Sequence, residues 1–412
     1  MNKKMLLWRI FPLVLIISLI LNNPILAADY VGGNIIIAAN SEEEINPAVA
    51  YNSEQREYLI VWQNDRPNFD DIYAQRLSGD GRLLGGWFSI SAGTDKNRRF
   101  PKVAYNSKHN QYLVVYVCVE ESGHQSLCAR RVSGAGQLVD QTDLVISATF
   151  TSFPVVAYSY TSDNYLIAWI EIIPSPLTYV VNAAALDHSS NFIFNSTAVV
   201  SDNYPKSSLE IAYNRHANRH LLVWEQDNVN YDIVGRQVLG DGSATWGSIV
   251  TYADESDNCR MPDVAALPTG DSNIKFFVAF HQPLSGDYGI FGRLVNEDGS
   301  INSQTIAAYS PGKDHMMPAV TASENRQEYF VVWQTEGTTA FKKIEGLRFN
   351  AVGTQQSGYI PISEKDGEYP DTAAGLTGDF LAVWQSMPVL LSDYDIYGQI
   401  LGNRVFLPLL LK

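Results

Sequence analysis

Positive charge is scarce in this chain. Lys and Arg number 29 against 44 Asp and Glu, a net charge of −15 over 412 residues. With no basic stripe to neutralise phosphates, nucleic acid and anionic membrane surfaces are not expected as partners. The acidity suits an exported, soluble surface. Charged residues of both signs make up only 18% of the chain, and the 46% hydrophobic content supports a large core and excludes global disorder. There are three cysteines, and only Cys118 and Cys128 lie close together, too few ligands for a zinc site. Enzyme signatures are missing: there is no His-Glu-x-x-His, Gly-x-Ser-x-Gly, P-loop or dinucleotide fingerprint. His216 and His220 are four apart but read as part of a strand-to-strand turn, which gives no zinc site. No metal ligand is assigned.

Long apolar runs are also missing, apart from the start. Lys3, Lys4 and Arg9 flank an apolar run from Ile10 to Leu21, and Leu26-Ala27-Ala28 offers small residues for cleavage. The run is short for a stable span, so residues 1–28 are expected to be a cleaved signal peptide of a secreted or cell-surface protein. The tail 403–412, ending Leu-Pro-Leu-Leu-Leu-Lys412, is too short to span a bilayer. It reads either as a sorting signal, like the Leu-Pro-Leu tails of some exported bacterial proteins, or as a last strand packed on the fold. No membrane span is expected in the mature chain, and a monomer is expected.

What the chain has in abundance is one repeated stretch. Pro47-Ala-Val-Ala-Tyr51 reads as a strand, Asn52 to Glu57 as a polar turn, and Tyr58-Leu-Ile-Val-Trp62 as a strand apolar on both faces. A third strand, Asp71 to Leu77, ends in Gly79-Asp80-Gly81. A strand apolar on both faces must be covered on both sides. Its closing aromatic recurs as Trp62, Tyr116, Trp169, Trp224, Phe280, Trp333 and Trp384, in steps of 51 to 56 residues. Steps of that size between all-β units indicate propeller blades. The opening proline recurs at Pro47, Pro101, Pro154, Pro262, Pro318 and Pro370, with Leu209 in the fourth copy.

Residues 33–46 match the end of a repeat without its beginning, and the last copy lacks a fourth strand. The expected fold is therefore all-β: a single seven-bladed β-propeller over 29–402, with four-stranded antiparallel blades. Its N-terminal strand, including residues 34–39, completes the last blade and removes two sheet edges. A hairpin centred near Gly123 would set Cys118 opposite Cys128. A cross-strand disulfide and two buried thiols are both open readings.

The repeat of Val-Ala-Tyr-Asn, Tyr-Leu-Ile-Val-Trp, Asp-Ile-Tyr-Ala-Gln-Arg-Leu and Gly-Asp-Gly resembles tandem propeller repeats of exported, mostly uncharacterised bacterial proteins. That resemblance spans about residues 33–402 and implies a fold, not an activity. Leu239-Gly-Asp-Gly-Ser-Ala-Thr-Trp246 also resembles the Asp-box turn of sialidase-type propellers, in which the turn is structural and remote from catalysis. Leu239 and Ser243 depart from its usual Ser and Gly.

In a propeller, the loops from the fourth to the first strand and from the second to the third open on one face, and here they are long and polar. Carboxylates, arginines and aromatics on that rim suit a glycan or a protein ligand. Arg99, Arg260 and His315 belong to the first loop set. The residue after each repeated aromatic is polar in five copies: Gln63, Glu225, His281, Gln334 and Gln385. A ligand-facing polar ring explains this; so do repeated side-chain bonds to loop backbone. Asp70, Asp71, Asp232, Asp287, Asp393 and Asp395 recur before the third strands. Calcium is the one cofactor they raise, yet no calcium-loop spacing is present and turn capping is preferred. The functional expectation is a non-catalytic binding scaffold. A glycoside hydrolase or polysaccharide lyase at the channel mouth is the alternative, with Glu225 and Asp263 the first residues to mutate. A structural envelope protein is the third reading.

Overall fold

The computed structural model describes residues 30–149, 151–253, 258–267, 273–337, 341–387 and 393–402. The expected signal segment and the tail lie outside these, as do residues 254–257, 338–340 and 388–392 in three of the loops. Among the described residues there is no helix, and so none long and apolar enough to cross a membrane.

The strands form seven four-stranded antiparallel sheets in a ring: a seven-bladed β-propeller. Blade 1 runs Glu43–Asn52, Glu57–Asp65, Asp70–Ser78 and Leu83–Ser91, from the channel outward. Blades 2 to 6 follow as 96–147, 151–202, 206–253, 260–308 and 314–361. Blade 7 comprises Glu368–Ala374, Phe380–Ser386 and Asp395–Leu401, and its outermost strand is Tyr30–Ala38 from the other end of the chain. Ile36 pairs with Tyr397 and Ala38 with Ile396, so one ladder joins the two ends of the propeller.

Seven apolar clusters hold the ring, one in each seam between neighbouring blades. The repeated aromatic fills the seam toward the preceding blade: Trp62 packs with Leu381 and Val383 of blade 7, and Trp224 with Val155 and Leu166 of blade 3. Side chains alternate along a strand, so the residue after the aromatic turns toward the following blade. This is why the second strand is buried on both faces along its apolar core, as from Tyr58 to Trp62.

The sulfur atoms of Cys118 and Cys128 lie 2.10 Å apart, as in a disulfide, with the Cα atoms 6.0 Å apart. They are diagonal rather than opposite: Cys118 pairs with Ser126, and Cys128 with Tyr116. The turn runs Glu120 to His124, where Glu120 N–H donates to His124 O and Gly123 N–H to Glu120 O. That places the turn one residue ahead of the expected centre. Cys259 is buried in the seam between blades 4 and 5. Replacing both Cys118 and Cys128 by Ala is expected to lower stability by about 2 kcal/mol, the low end for a short loop whose strands are already paired. An unchanged urea midpoint would show that the bond contributes nothing.

Candidate functional site: the mouth of the central channel

Each inner strand carries the same irregularity. Its register slips just before the proline, between Ile45 and Ala48 in blade 1, and between Arg99 and Lys102 in blade 2. All seven blades share this bulge. The residue before the proline, or before Leu209 in blade 4, takes a left-handed conformation in every blade. These residues are Asn46, Phe100, Phe153, Ser208, Met261, Met317 and Tyr369, with φ between 49° and 56°. That conformation costs a non-glycine residue about 1–2 kcal/mol, and the bulge takes its N–H out of the ladder.

The polar residues after the repeated aromatics supply the missing acceptors. Phe100 N–H donates to Gln63 Oε1 at 3.3 Å, and Met261 N–H to Glu225 Oε1 at 2.6 Å. Met317 N–H donates to His281 Nδ1 at 3.3 Å, and Asn46 N–H to Gln385 Oε1 at 3.0 Å. Each bond crosses from one blade to the next, and the last closes the ring. Gln334 instead donates to Glu336 at 2.8 Å. All five polar residues are buried.

The seven left-handed residues line the mouth of a cavity of about 500 Å³. Five of them are Phe, Met or Tyr, and Phe100 and Tyr369 are about half exposed. Prolines form a second layer. Below them Lys102, Glu210, Asp263 and Asp371 occupy one repeat position in four blades and reach the same cavity. Lys102 Nζ bonds Glu210 Oε1 at 2.6 Å. Asp263 accepts Val320 N–H at 2.6 Å, and Asp371 accepts Val49 N–H at 2.9 Å, so each latches onto the following blade. Burial pushes the Glu210, Asp263 and Asp371 carboxyls up, against the pull of Lys102. Despite its own burial, Lys102 is held above its ordinary value by Glu210 and Asp371. The channel thus sets one ammonium beside three carboxyls beneath an apolar rim.

Of the eight expected ligand-binding residues, Arg99 alone is among the cavity-lining residues described, and it pairs with Asp70. Arg260 lies at the same repeat position in blade 5. It bonds Glu225 Oε2 at 3.1 Å and covers the Tyr231 ring at 3.9 Å. Glu225 Oε2 also accepts the Ser207 hydroxyl at 2.6 Å, so this carboxylate is fully engaged between blades 4 and 5. Burial, with the Arg260 charge second, pushes His281 down to about 3.

His315 is not on the rim. The inner strand of blade 6 starts at Asp314, and His315 is fully buried, its Nδ1 3.0 Å from Thr335 Oγ1 and accepting the Trp333 indole at 2.9 Å. His220 likewise lies inside a strand rather than in the turn, buried at the position of Tyr58. Two of the recurrent aspartates bind backbone: Asp71 accepts Gly93 N–H at 3.1 Å and Asp287 accepts Gly312 N–H at 2.8 Å.

Missed in the sequence were the left-handed conformation repeated around the rim and the polar layer of Lys102, Glu210 and Asp371 beneath it. The signal was the residues on either side of each recurrent proline. In blades 2 and 3 the position after the aromatic is Val117 and Ile170, and the cavity extends past Val117 and Val119 toward Gln125.

These features define a class: a seven-bladed propeller with an open, acid-lined channel mouth. Among solved structures the chain is similar to a protein of unknown function from Dyadobacter fermentans, at 11% identity and TM-score 0.56, over 92% of this chain and 100% of that one. It is similar to the polysaccharide lyase Uly1 at 10% identity and TM-score 0.56, over 92% of each chain. It is also similar to a fungal AA5-family alcohol oxidase solved with copper, at 9% identity and TM-score 0.56, over 91% of this chain and 76% of that one. At these identities the likeness is one of fold. No family model matches the chain, and no curated protein matches it in sequence.

Proposed function

We propose that this protein is an exported, non-catalytic binding scaffold that takes an amine or guanidine group, flanked by apolar surface, into its channel mouth. The observation that carries this reading is the apolar ring of left-handed residues above an acid-rich layer. Aromatic faces and carboxylates together favour a partly desolvated cation. A basic protein side chain and an amino sugar share that chemistry, which keeps both the protein and the glycan reading. An open cavity counts against a purely structural role, for which a closed mouth is expected.

The test uses two probe pairs: chitosan oligosaccharides and a short Lys- and Arg-containing peptide, each beside its N-acetylated or neutral counterpart. Calorimetry should show binding of the charged member of one pair only, which identifies the source. Phe100→Ala, at a half-exposed position, should weaken it about tenfold or more. Equal binding of the neutral counterparts, or no binding of either charged probe, overturns the reading.

A second reading has its own observation. Carboxyls pushed up by burial in an open channel are what a general acid requires, which favours a carbohydrate-active enzyme using Glu210 with Asp263 or Asp371. Against it, Asp263 and Asp371 are each engaged by backbone N–H groups. Size-resolved chromatography of polysaccharides after incubation decides: new short fragments establish the enzyme, and intact glycans leave the scaffold.

A further inference from the structure

The face away from the channel mouth is built from the turns joining first to second and third to fourth strands. At the seam of blades 2 and 3 three of its residues depart from the repeat together. The first is Asp163. In blades 2 and 4 the residue before the second strand is Asn110 or Asn218, left-handed in each case and accepting a tyrosine hydroxyl, Tyr105 or Tyr213. Blade 3 keeps the conformation and the bond, Tyr158 hydroxyl to Asp163 Oδ1 at 2.7 Å, but exchanges the amide for a carboxylate. The second is His188. Blades 1, 2 and 4 have glycine at this place in the outer turn, and a Cβ at Gly134 would come within 1.9 Å of Asn110 Oδ1. The third is His109, which reaches the seam from blade 2.

These three meet. His109 Nε2 is 3.0 Å from Asp163 Oδ2, and the His109 and His188 rings stack with centroids 3.8 Å apart. One ligand atom from each lies within 4.8 Å of the other two. Their backbones are fixed independently. Asn106 Oδ1 accepts the N–H groups of Lys108 and His109, both at 3.0 Å. The carbonyl of His188 accepts Gln111 Nε2 at 2.7 Å and Arg131 Nη1 at 2.9 Å, which ties the blade 3 turn onto blade 2.

We propose that His109, Asp163 and His188 bind a divalent transition ion of the zinc, nickel or copper class, pinning blade 2 to blade 3. Two imidazoles and one carboxylate suit these ions and leave room for water in the remaining positions. Tyr158, on the second carboxylate oxygen, is the outer partner that orients such a ligand. An ion lies in the plane of each imidazole it binds, so at least one ring turns out of the stack on binding. Both histidines are exposed, which leaves space for that turn. The sequence reading could not find this site because the ligands lie on three separate turns.

The test is calorimetric titration of the metal-stripped full chain with Zn²⁺, with Co²⁺ absorption as a second readout. The expected result is one ion per chain, with the intense visible bands of four-coordinate Co²⁺. Affinity should fall in acid, because the ligand atoms must be unprotonated to bind the ion. His109→Gln and His188→Gln should each weaken binding by at least about tenfold, the loss that even an outer partner can cause. Asp163→Asn, which restores the residue type of blades 2 and 4, should do the same without disturbing the turn. His216→Gln, an exposed histidine in the matching turn of blade 4, should leave binding unchanged. No binding, or binding that survives the double variant His109→Gln/His188→Gln, overturns the proposal and leaves His109 and Asp163 as an ion pair only.

Discussion

Deletion of residues 30–38 is expected to cost at least about 5 kcal/mol, a large share of the roughly 5–15 kcal/mol that keeps a typical domain folded. The segment supplies the outer strand of blade 7 and pairs with Asp395–Leu401. Its Ile37 and Ala38 are buried in the seam shared by blades 7 and 1, against Leu381, Val383 and Ile400. Asn34 adds a tie to blade 6: its Nδ2 donates to Ile362 O at 2.9 Å, and its Oδ1 accepts Glu364 N–H at 2.7 Å. Ile37→Ala alone should cost about 2–5 kcal/mol, the usual result of emptying a buried aliphatic site. The deletion removes that contact, the rest of the strand's burial and a whole ladder. It also bares the edge of Asp395–Leu401, a template for aggregation. Thermal melting with light scattering checks this, and a synthetic peptide of residues 30–40 added in trans should restore part of the lost midpoint. A deletion variant that melts with the parent would mean that the ring does not depend on this strand.

That closure was legible because it rests on pattern. Residues 33–46 match the end of another copy, and an apolar strand with two covered faces leaves little choice of architecture. The position after each aromatic was visible as polar, but its role was not. Gln63 and Glu225 look alike whether they face a ligand or a neighbouring N–H. Only the bulge, which strips Phe100 and Met261 of their ladder partners, shows which donor they serve. A bulge adds one residue without altering composition, so sequence periodicity does not register it. The same shift hides how the rim is built: Phe100 and Tyr369 read as the ends of rim loops, and only the bulge shows the left-handed backbone that sets them at the cavity. His315 was misplaced for a related reason. The strand of blade 6 begins at Asp314, four residues before Pro318, and this draws the imidazole into the seam.

Lys102→Met is expected to destabilise the protein by about 3 kcal/mol near pH 8 and by far less near pH 4. The magnitude sits between the ~0–1 kcal/mol of exposed pairs and the ~3–5 kcal/mol of breaking a buried one, because channel solvent reaches Lys102 and Glu210, whose side chains are 38% and 24% exposed. The sign with pH follows from linkage. Glu210, Asp263 and Asp371 have folded-state pKa values above their unfolded ones. Their contribution is fully present below about pH 4 and is lost as pH rises through the folded values. Lys102 is also raised, so its contribution is present up to about pH 10 and lost only above that. Removing the ammonium lifts the three carboxyls further, so the loss starts at the same pH, extends to higher pH and runs deeper. Melting curves near pH 4 and pH 8 should therefore converge in acid and separate in base, and a constant gap would place the three carboxyls outside the influence of Lys102. The same variant tests the channel as a cation site. With the competing ammonium gone, an amine or guanidine probe should bind about tenfold tighter, a modest share of the Coulomb term for charges several ångströms apart. Loss of binding instead would mean that Lys102 itself contacts the ligand, and that the channel receives an anion.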